Sequence, residues 1–189
     1  MKTGVETVNG ASIYYEKKGS GPAVLLIHGF GLDGRMWDEQ FDFLSRTFTV
    51  IRPDLRGFGR SSLPDDTPYS HAEDLYQLLI RLGISIVAPV GLSMGGRVAV
   101  DFVLSFPEQT SCLALVDAAL NGYAFKTFSY DYINQIAKDQ GIEKANLAWY
   151  HHELFDSVNK IEPATQAMSK MMEDYSDQLN LSNVLPHSW

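Results

Sequence analysis

The sequence has few of the features that mark secreted or membrane proteins. Its 189 residues include 1 cysteine, so no disulfide can form within the chain. No apolar run approaches the roughly 18 residues that a membrane span requires, and the first seven residues lack the apolar core of a secretory signal. We therefore expect a cytoplasmic protein without membrane partners. Cys112 opens the apolar run 112–116, where we expect a small buried side chain rather than a reactive thiol.

Basic residues are also scarce. The 15 Lys and Arg are outnumbered by 23 Asp and Glu, which leaves a net charge of −8. Such a chain repels phosphate backbones, so nucleic acid is excluded as an expected partner. Hydrophobic residues make up 45% and charged residues 20%, which is ordinary globular composition. The length predicts one compact unit with a small appendage.

The first 120 residues alternate short apolar strands with helices. Asn9-Gly10 favours a type I′ turn and therefore an opening hairpin. Ser70, with Glu73 three residues later, predicts a capped helix that ends before Gly83. The patterns predict four buried strands, at 23–27, 48–51, 84–90 and 113–116. Helical spacing appears between the first two of them, at Trp37, Phe41 and Leu44, and further helices are predicted at 70–82 and 94–106. This alternation predicts an α/β fold, with a mostly parallel sheet covered on both faces.

The pattern changes near residue 121. Only two of the 15 glycines, Gly122 and Gly141, lie beyond it, and no later segment has the pattern of a buried strand. Apolar residues repeat instead at helical spacing, as Ile133, Ile136 and Ala137 do. We therefore predict an α/β core over 1–120 and a helical region over 121–189.

The sharpest chemical motif is Gly91-Leu92-Ser93-Met94-Gly95, between a predicted buried strand and a predicted helix. A Gly-x-Ser-x-Gly in that setting predicts a tight turn that exposes a nucleophilic serine. The flanking glycines let the chain pass close to itself. The turn also directs the helix N-terminus and the Met94 amide at an oxyanion formed on a carbonyl that Ser93 attacks.

Two further loops follow the first two parallel strands. His28-Gly29-Phe30-Gly31 can bring a second amide, that of Phe30, to the same oxyanion. We interpret His28 as a brace for this loop, although a general base is the alternative. The loop 54–62 is rich in glycine and in charges that can pair with each other, and we interpret it as loop architecture.

These three motifs, in this order, resemble the α/β-hydrolase family, and within it the carboxylesterases, enol-lactonases and C–C hydrolases. The resemblance is close over residues 10–120 and loose beyond. It implies that Ser93 is the nucleophile, that Phe30 and Met94 supply the oxyanion amides, and that the helices after Leu120 cap the pocket. It also implies that neither a metal nor an organic cofactor is used.

The sequence departs from this family at the acid and the base. Members normally continue past the cap into two strands that carry the catalytic acid and histidine, and no such pattern follows here, so we expect a C-terminally truncated chain. Asp117, after the last predicted strand, matches the position from which some relatives deliver their acid, but capping a turn is an equal alternative. The base stays open between no histidine at all and three candidates, which are His151, His152 and His187. His71, in the first turn of a helix, is expected to have no role.

The predicted function is a serine hydrolase of small carboxylic esters or lactones, acting through an acyl-enzyme on Ser93. The alternative is a catalytically incomplete hydrolase, truncated or split, that binds ligands or a partner. The acyl length and the choice between ester, lactone and C–C bond stay open. Because the strand 113–116 would form an open apolar edge, we also expect a homo-oligomer.

Overall fold

A computed structural model describes residues 1–120 and 131–176. The chain divides into two compact units, Met1–Asn121 and Gly122–Trp189. The predicted base candidate His187 lies outside the described residues.

The first unit begins with the predicted hairpin. Strands β1 (Lys2–Val8) and β2 (Ala11–Lys18) pair antiparallel, with Val8 opposite Ala11. The two turn residues have φ values of 46° at Asn9 and 79° at Gly10. A type I′ turn requires positive φ at both positions, which Asn and Gly tolerate best. The hairpin prediction is confirmed.

Four further strands complete the sheet within the described residues. They are β3 (Ala23–Ile27), β4 (Thr49–Pro53), β5 (Val87–Leu92) and β6 (Ala114–Val116). The order is β1-β2-β4-β3-β5-β6, with β4, β3, β5 and β6 parallel and β2 antiparallel to β4. This confirms the mostly parallel α/β sheet with an N-terminal hairpin.

The predicted start of β5 at Ile84 is wrong. The Ile84 amide donates instead to the Leu79 carbonyl at 2.9 Å, and Gly83 has a φ of 70°. These residues therefore form the C-terminal cap of the preceding helix, which is a common use of a left-handed glycine. The strand begins only at Val87.

Three helices cross over between the strands: α1 (Asp38–Leu44), α2 (His71–Arg81) and α3 (Met94–Ser105). The Ser70 hydroxyl accepts the Glu73 amide at 3.4 Å, as the capping pattern predicts. Leu78 of α2 belongs to a buried cluster that is otherwise formed by the hairpin, and Phe41 of α1 belongs to a cluster with Val24 and Leu26 of β3.

The second unit is helical over the described residues 131–176. It contains α4 (Asp131–Gln140), α5 (Ile142–Tyr150) and α6 (Glu162–Ser176), and two short 3₁₀ helices. Trp149 is buried and meets Phe155 edge-on, with ring centroids 5.2 Å apart. Within the described segments, no helix is long and apolar enough to cross a membrane.

Strand β6 is the edge of the sheet as far as the structure describes it. Its described sheet partner is β5, and its three residues are exposed, with Leu115 at 43% and Val116 at 38%. The prediction that Cys112 is buried is wrong, because its side chain is exposed. The predicted burial of the strand 113–116 is also wrong, because no neighbouring segment among the described residues covers its side chains.

Candidate active site

Ser93 lies on the turn that joins β5 to α3, in a strained backbone conformation with φ 52° and ψ −115°. Such a conformation costs on the order of 1–3 kcal/mol for a residue other than glycine. Two hydrogen bonds hold it in place. The Ser93 amide donates to the Val116 carbonyl at 3.0 Å, and the Ser93 carbonyl accepts the Ala119 amide at 3.0 Å. The end of β6 therefore fixes the serine backbone.

The motif glycines are required by close approaches of the backbone. A Cβ at Gly91 would lie 2.2 Å from the Gly95 carbonyl oxygen, and one at Gly95 would lie 2.3 Å from the Ile27 carbonyl oxygen. Real Cβ atoms do not approach other atoms so closely. The predicted need for tiny residues on both sides of Ser93 is confirmed.

Phe30 and Met94 are the two residues whose amides the sequence predicts as oxyanion donors. Met94 is the first residue of α3, so its amide has no partner within the helix and stands at the positive end of the helix dipole. Phe30 is buried in the loop directly after β3, and Gly31 has a φ of 72°. These are the positions that the sequence predicts for the two donors.

His28 braces the loop that carries Phe30, as predicted. Its Nδ1 lies 2.8 Å from the Gly29 carbonyl oxygen, and its Nε2 lies 2.9 Å from the Leu55 amide. The carbonyl can only accept and the amide can only donate, so the ring is the neutral Nδ1–H tautomer. Burial lowers the pKa of His28. Both ring nitrogens are occupied, so the alternative role as a general base receives no support.

Asp54 joins the loops that follow β3 and β4. Its fully buried carboxylate accepts the amide of Gly34 at 2.9 Å and the amide of Arg60 at 2.9 Å. The Arg60 Nε lies 3.4 Å from the same carboxylate. Charged groups in the loop 54–62 pair as predicted, and the loop after β3 is thereby anchored from a second side.

Asp117 lies beside the serine turn in the chain. It has a φ of 42° and is exposed, and it stands between Val116 and Ala119, whose backbones hold Ser93. Among residues 1–120 and 131–176, its carboxylate has no hydrogen-bond partner, so no capping bond supports the turn-capping alternative there.

The described residues 1–120, which carry Ser93, contain none of the predicted base candidates. His151 and His152 lie in the second unit, where the Nδ1 of His152 accepts the Leu154 amide at 3.2 Å. His28 and His71 are the histidines of residues 1–120, and neither hydrogen-bonds the Ser93 hydroxyl. His71, expected to have no role, is buried.

An aromatic cluster, centred on the fully buried Phe58, connects the loop that carries Phe30 to the start of α2. The Phe58 ring centroid lies 5.8 Å from that of Phe30 and 5.2 Å from that of His28. His71 lies 6.4 Å from Phe58, and Tyr69 lies 5.1 Å from His71. The sequence predicts only a loop here, and its one signal is a large apolar residue between Gly57 and Gly59. Over the described residues, no group of three His, Cys, Asp or Glu could hold a metal.

A family model described as the alpha/beta hydrolase fold matches residues 22–163. An uncharacterised protein of Mycobacterium tuberculosis is 42% identical over 114 residues, which cover 59% of this chain and 33% of that protein. A fluoroacetate dehalogenase of Burkholderia sp is 39% identical over 106 residues, covering 52% of this chain and 35% of the enzyme. The chain thus spans about a third of the length of these curated relatives.

Among solved structures, a thermophilic esterase from Thermogutta terrifontis superimposes with a TM-score of 0.74 at 26% identity. The match covers 94% of this chain and 68% of the esterase. The two chains therefore share a fold.

Proposed function

Because the chain belongs to the α/β-hydrolase fold family, we propose that it is a serine hydrolase that cleaves small carboxylic esters or lactones through an acyl-enzyme on Ser93. The observation that carries this proposal is the conformation of Ser93. Ser93 has a strained backbone with positive φ at the start of α3, and two hydrogen bonds maintain it: its amide donates to the Val116 carbonyl, and its carbonyl accepts the Ala119 amide.

The chemistry begins when the Ser93 hydroxyl oxygen attacks the carbonyl carbon of the ester. A base takes the serine proton, and the carbonyl oxygen becomes an oxyanion. The amides of Phe30 and Met94 stabilise that charge, and each such donor is worth about 2.7–4 kcal/mol in a comparable hole. The alcohol leaves with the proton. Water then attacks the acyl carbon and gives one proton to the base. The bond to the Ser93 oxygen breaks, the base returns that proton to the serine, and the acid is released. In a lactone, the leaving alcohol stays attached to the acyl group.

We assign the acid role to Asp117, because its segment is bonded to the Ser93 backbone and its carboxylate is exposed. An aspartate orients an imidazole and stabilises its charged form, so this role requires a histidine. His28 is excluded by its two loop contacts. The remaining candidates are His151, His152 and His187 or none.

A second candidate function is a catalytically incomplete hydrolase that binds ligands or a partner. Two observations favour it: the exposed edge strand β6, and the lack of a hydrogen bond from either histidine of residues 1–120 to the Ser93 hydroxyl. Loss of a triad histidine costs on the order of 10⁶ in turnover, and an oxyanion hole alone retains about 10³–10⁴ over water. The two functions therefore predict turnover rates that differ by a measurable factor.

The test compares the intact chain with Ser93→Ala, using p-nitrophenyl acetate turnover and fluorophosphonate labelling. A complete hydrolase should lose at least about 10³-fold in turnover and all labelling at this position. Ser105→Ala, an exposed serine at the end of α3, is the matched control and should leave both unchanged. Equal turnover of the intact chain and Ser93→Ala would support the incomplete hydrolase, and labelling of another serine would refute the assignment of Ser93.

We also propose that two copies associate through the edge of β6. A strand that is exposed on both faces presents unpaired backbone groups together with apolar side chains. Light scattering at micromolar concentration should therefore give twice the chain mass of 21.1 kDa. Leu115→Lys should return the monomer mass, whereas Leu104→Lys, at an exposed leucine of α3, should not. A monodisperse 21.1 kDa species for the unchanged protein would refute the dimer.

A further inference from the structure

Two buried polar atoms at the start of α2 have no hydrogen-bond partner. They are the hydroxyl oxygen of Tyr69 and the Nδ1 of His71. His71 is 9% exposed, and the two rings meet edge-on with centroids 5.1 Å apart. Buried side-chain polar atoms are normally bonded to protein or to ordered water. Each of these two atoms therefore requires a partner that the described side chains do not supply.

The pair lies at the end of the sheet that carries the proposed chemistry. A crossover helix between parallel strands begins at the edge where the preceding strand ends, so α2 starts at the carboxyl edge of β4. The loops that carry Phe30 and Ser93 follow the same edge. Phe58 also connects the pair to the loop that carries Phe30, because the Phe58 ring contacts both His71 and Phe30.

The electrostatic surroundings decide what kind of occupant fits. Burial, reinforced by the neighbouring His28 and two arginines, lowers the pKa of His71 to about 3. Burial also raises the pKa of Tyr69. Both groups are therefore uncharged at neutral pH, and the nearby Arg56 is already neutralised by Asp74 through contacts of 2.8 and 2.9 Å.

The chemistry of the two atoms matches an oxygen rather than an ion. A tyrosine hydroxyl can donate and accept, and the Nδ1 of a neutral imidazole does one or the other according to its tautomer. An oxygen that bears a hydrogen, or a carbonyl oxygen, can bond to both atoms. A cation would find only two weak neutral ligands here.

We propose that Tyr69 and His71 form a polar subsite that binds one neutral oxygen atom at the carboxyl edge of the sheet. The oxygen belongs to an ordered water or to the ester or lactone group of a substrate. The substrate source rests on the proposed hydrolase function, whereas the subsite itself does not. Nothing else in the described residues satisfies these two atoms.

The direction of the Tm change in the Tyr69→Phe variant tests the subsite without any assay of activity. Tyr69→Phe keeps the ring and its contact with Arg56, whose Cζ lies 4.7 Å from the ring centroid. If an oxygen is bound, loss of the hydroxyl breaks a hydrogen bond and lowers the Tm by about 2–4 °C. If the hydroxyl is unpaired, its removal relieves an unsatisfied buried group and the Tm rises. A Tm at or above that of the unchanged protein would overturn the proposal.

Tyr76→Phe is the matched control, because the Tyr76 ring stacks on Phe106 with centroids 4.1 Å apart and its hydroxyl is not among the buried unpaired atoms. Its Tm should stay within about 2 °C. A high-resolution crystal structure provides the direct check. Oxygen density within about 3.2 Å of both Tyr69 Oη and His71 Nδ1 supports the subsite, and its absence refutes it.

The source of the oxygen follows from the ¹⁵N shift of His71 Nδ1 in the Ser93→Ala variant. A change on saturation with γ-butyrolactone assigns the oxygen to the substrate group. An unchanged shift, together with a lowered Tm for Tyr69→Phe, assigns it to water. If the chain is not a hydrolase, only the shift change with γ-butyrolactone would be lost. The Tm test of the subsite would still apply, so the subsite and the hydrolase function can fail separately.

Discussion

Gly95→Ala tests whether the serine turn depends on the close approach of α3 to β3. Gly95 is the second residue of α3, where helix propensity alone favours alanine by up to about 1 kcal/mol. The structure predicts the opposite sign. A Cβ would lie 2.3 Å from the Ile27 carbonyl oxygen and 2.5 Å from that of His28. Both contacts are with backbone carbonyl groups at the end of β3. Unlike a flexible side chain, these groups cannot rotate out of the way.

The magnitude follows from these two terms. Overpacking of a well-filled site costs about 1–3 kcal/mol, and rigid backbone contacts place this case at the upper end. After the gain in propensity is subtracted, the net loss is about 2 kcal/mol. For a chain of this length, that loss lowers the Tm by roughly 4–8 °C. The same clash displaces His28 and the loop that carries Phe30, so fluorophosphonate labelling of Ser93 should also become slower.

Thermal unfolding followed by circular dichroism measures the first effect, and mass spectrometry of the labelled peptide measures the second. Ser105→Ala adds an alanine at an exposed position of the same helix and should change stability by less than about 0.5 kcal/mol. A Gly95→Ala protein as stable as the unchanged chain would refute the reasoning, because helix propensity would then outweigh the contact.

Three further outcomes are expected. Asp117→Asn should lower esterase turnover strongly with a nearly unchanged Tm, since the side chain is exposed; a large loss of stability with unchanged turnover would contradict its role as the acid. Asp54→Asn should cost about 2 kcal/mol in unfolding free energy, because one buried carboxylate accepts two backbone amides, and Asp42→Asn at an exposed position should cost far less. Because the pKa of His71 is about 3 when folded and near 6.5 when unfolded, stability should be full above pH 6.5 and should fall as the pH drops towards 3. Denaturant unfolding should show a shallower acid slope for His71→Gln, and an unchanged slope would contradict the buried neutral state.

Local signals predicted much of the fold. Asn9-Gly10 specifies a turn by its own backbone preferences, and the run 23–27 is apolar at every position, so the hairpin and β3 needed no tertiary information. The start of β5 could not be placed from the pattern, because Ile84 is apolar whether it caps a helix or begins a strand. Whether Ile84 caps the helix or begins the strand depends on which of these two local structures is more stable in the folded protein.

The site also contains features that local patterns predict and features that depend on tertiary contacts. The turn around Ser93 and the brace by His28 follow from motifs within a few residues, and both were predictable. The exposure of Cys112 was not, because burial depends on what lies beside β6 rather than on the run itself. The contacts among Phe58, His71 and Tyr69 join a loop to a helix end, and no spacing rule predicts them.

The open edge and the proposed catalytic serine are physically linked. The carbonyl of Val116, in β6, accepts the Ser93 amide, and the Ala119 amide that follows donates back to Ser93. A short edge strand with exposed side chains is held mainly by its pairing with β5, so it opens more readily than the central strands. Each opening would release the strained serine from both hydrogen bonds. A second copy paired on β6 would oppose that opening and keep both hydrogen bonds of Ser93 formed.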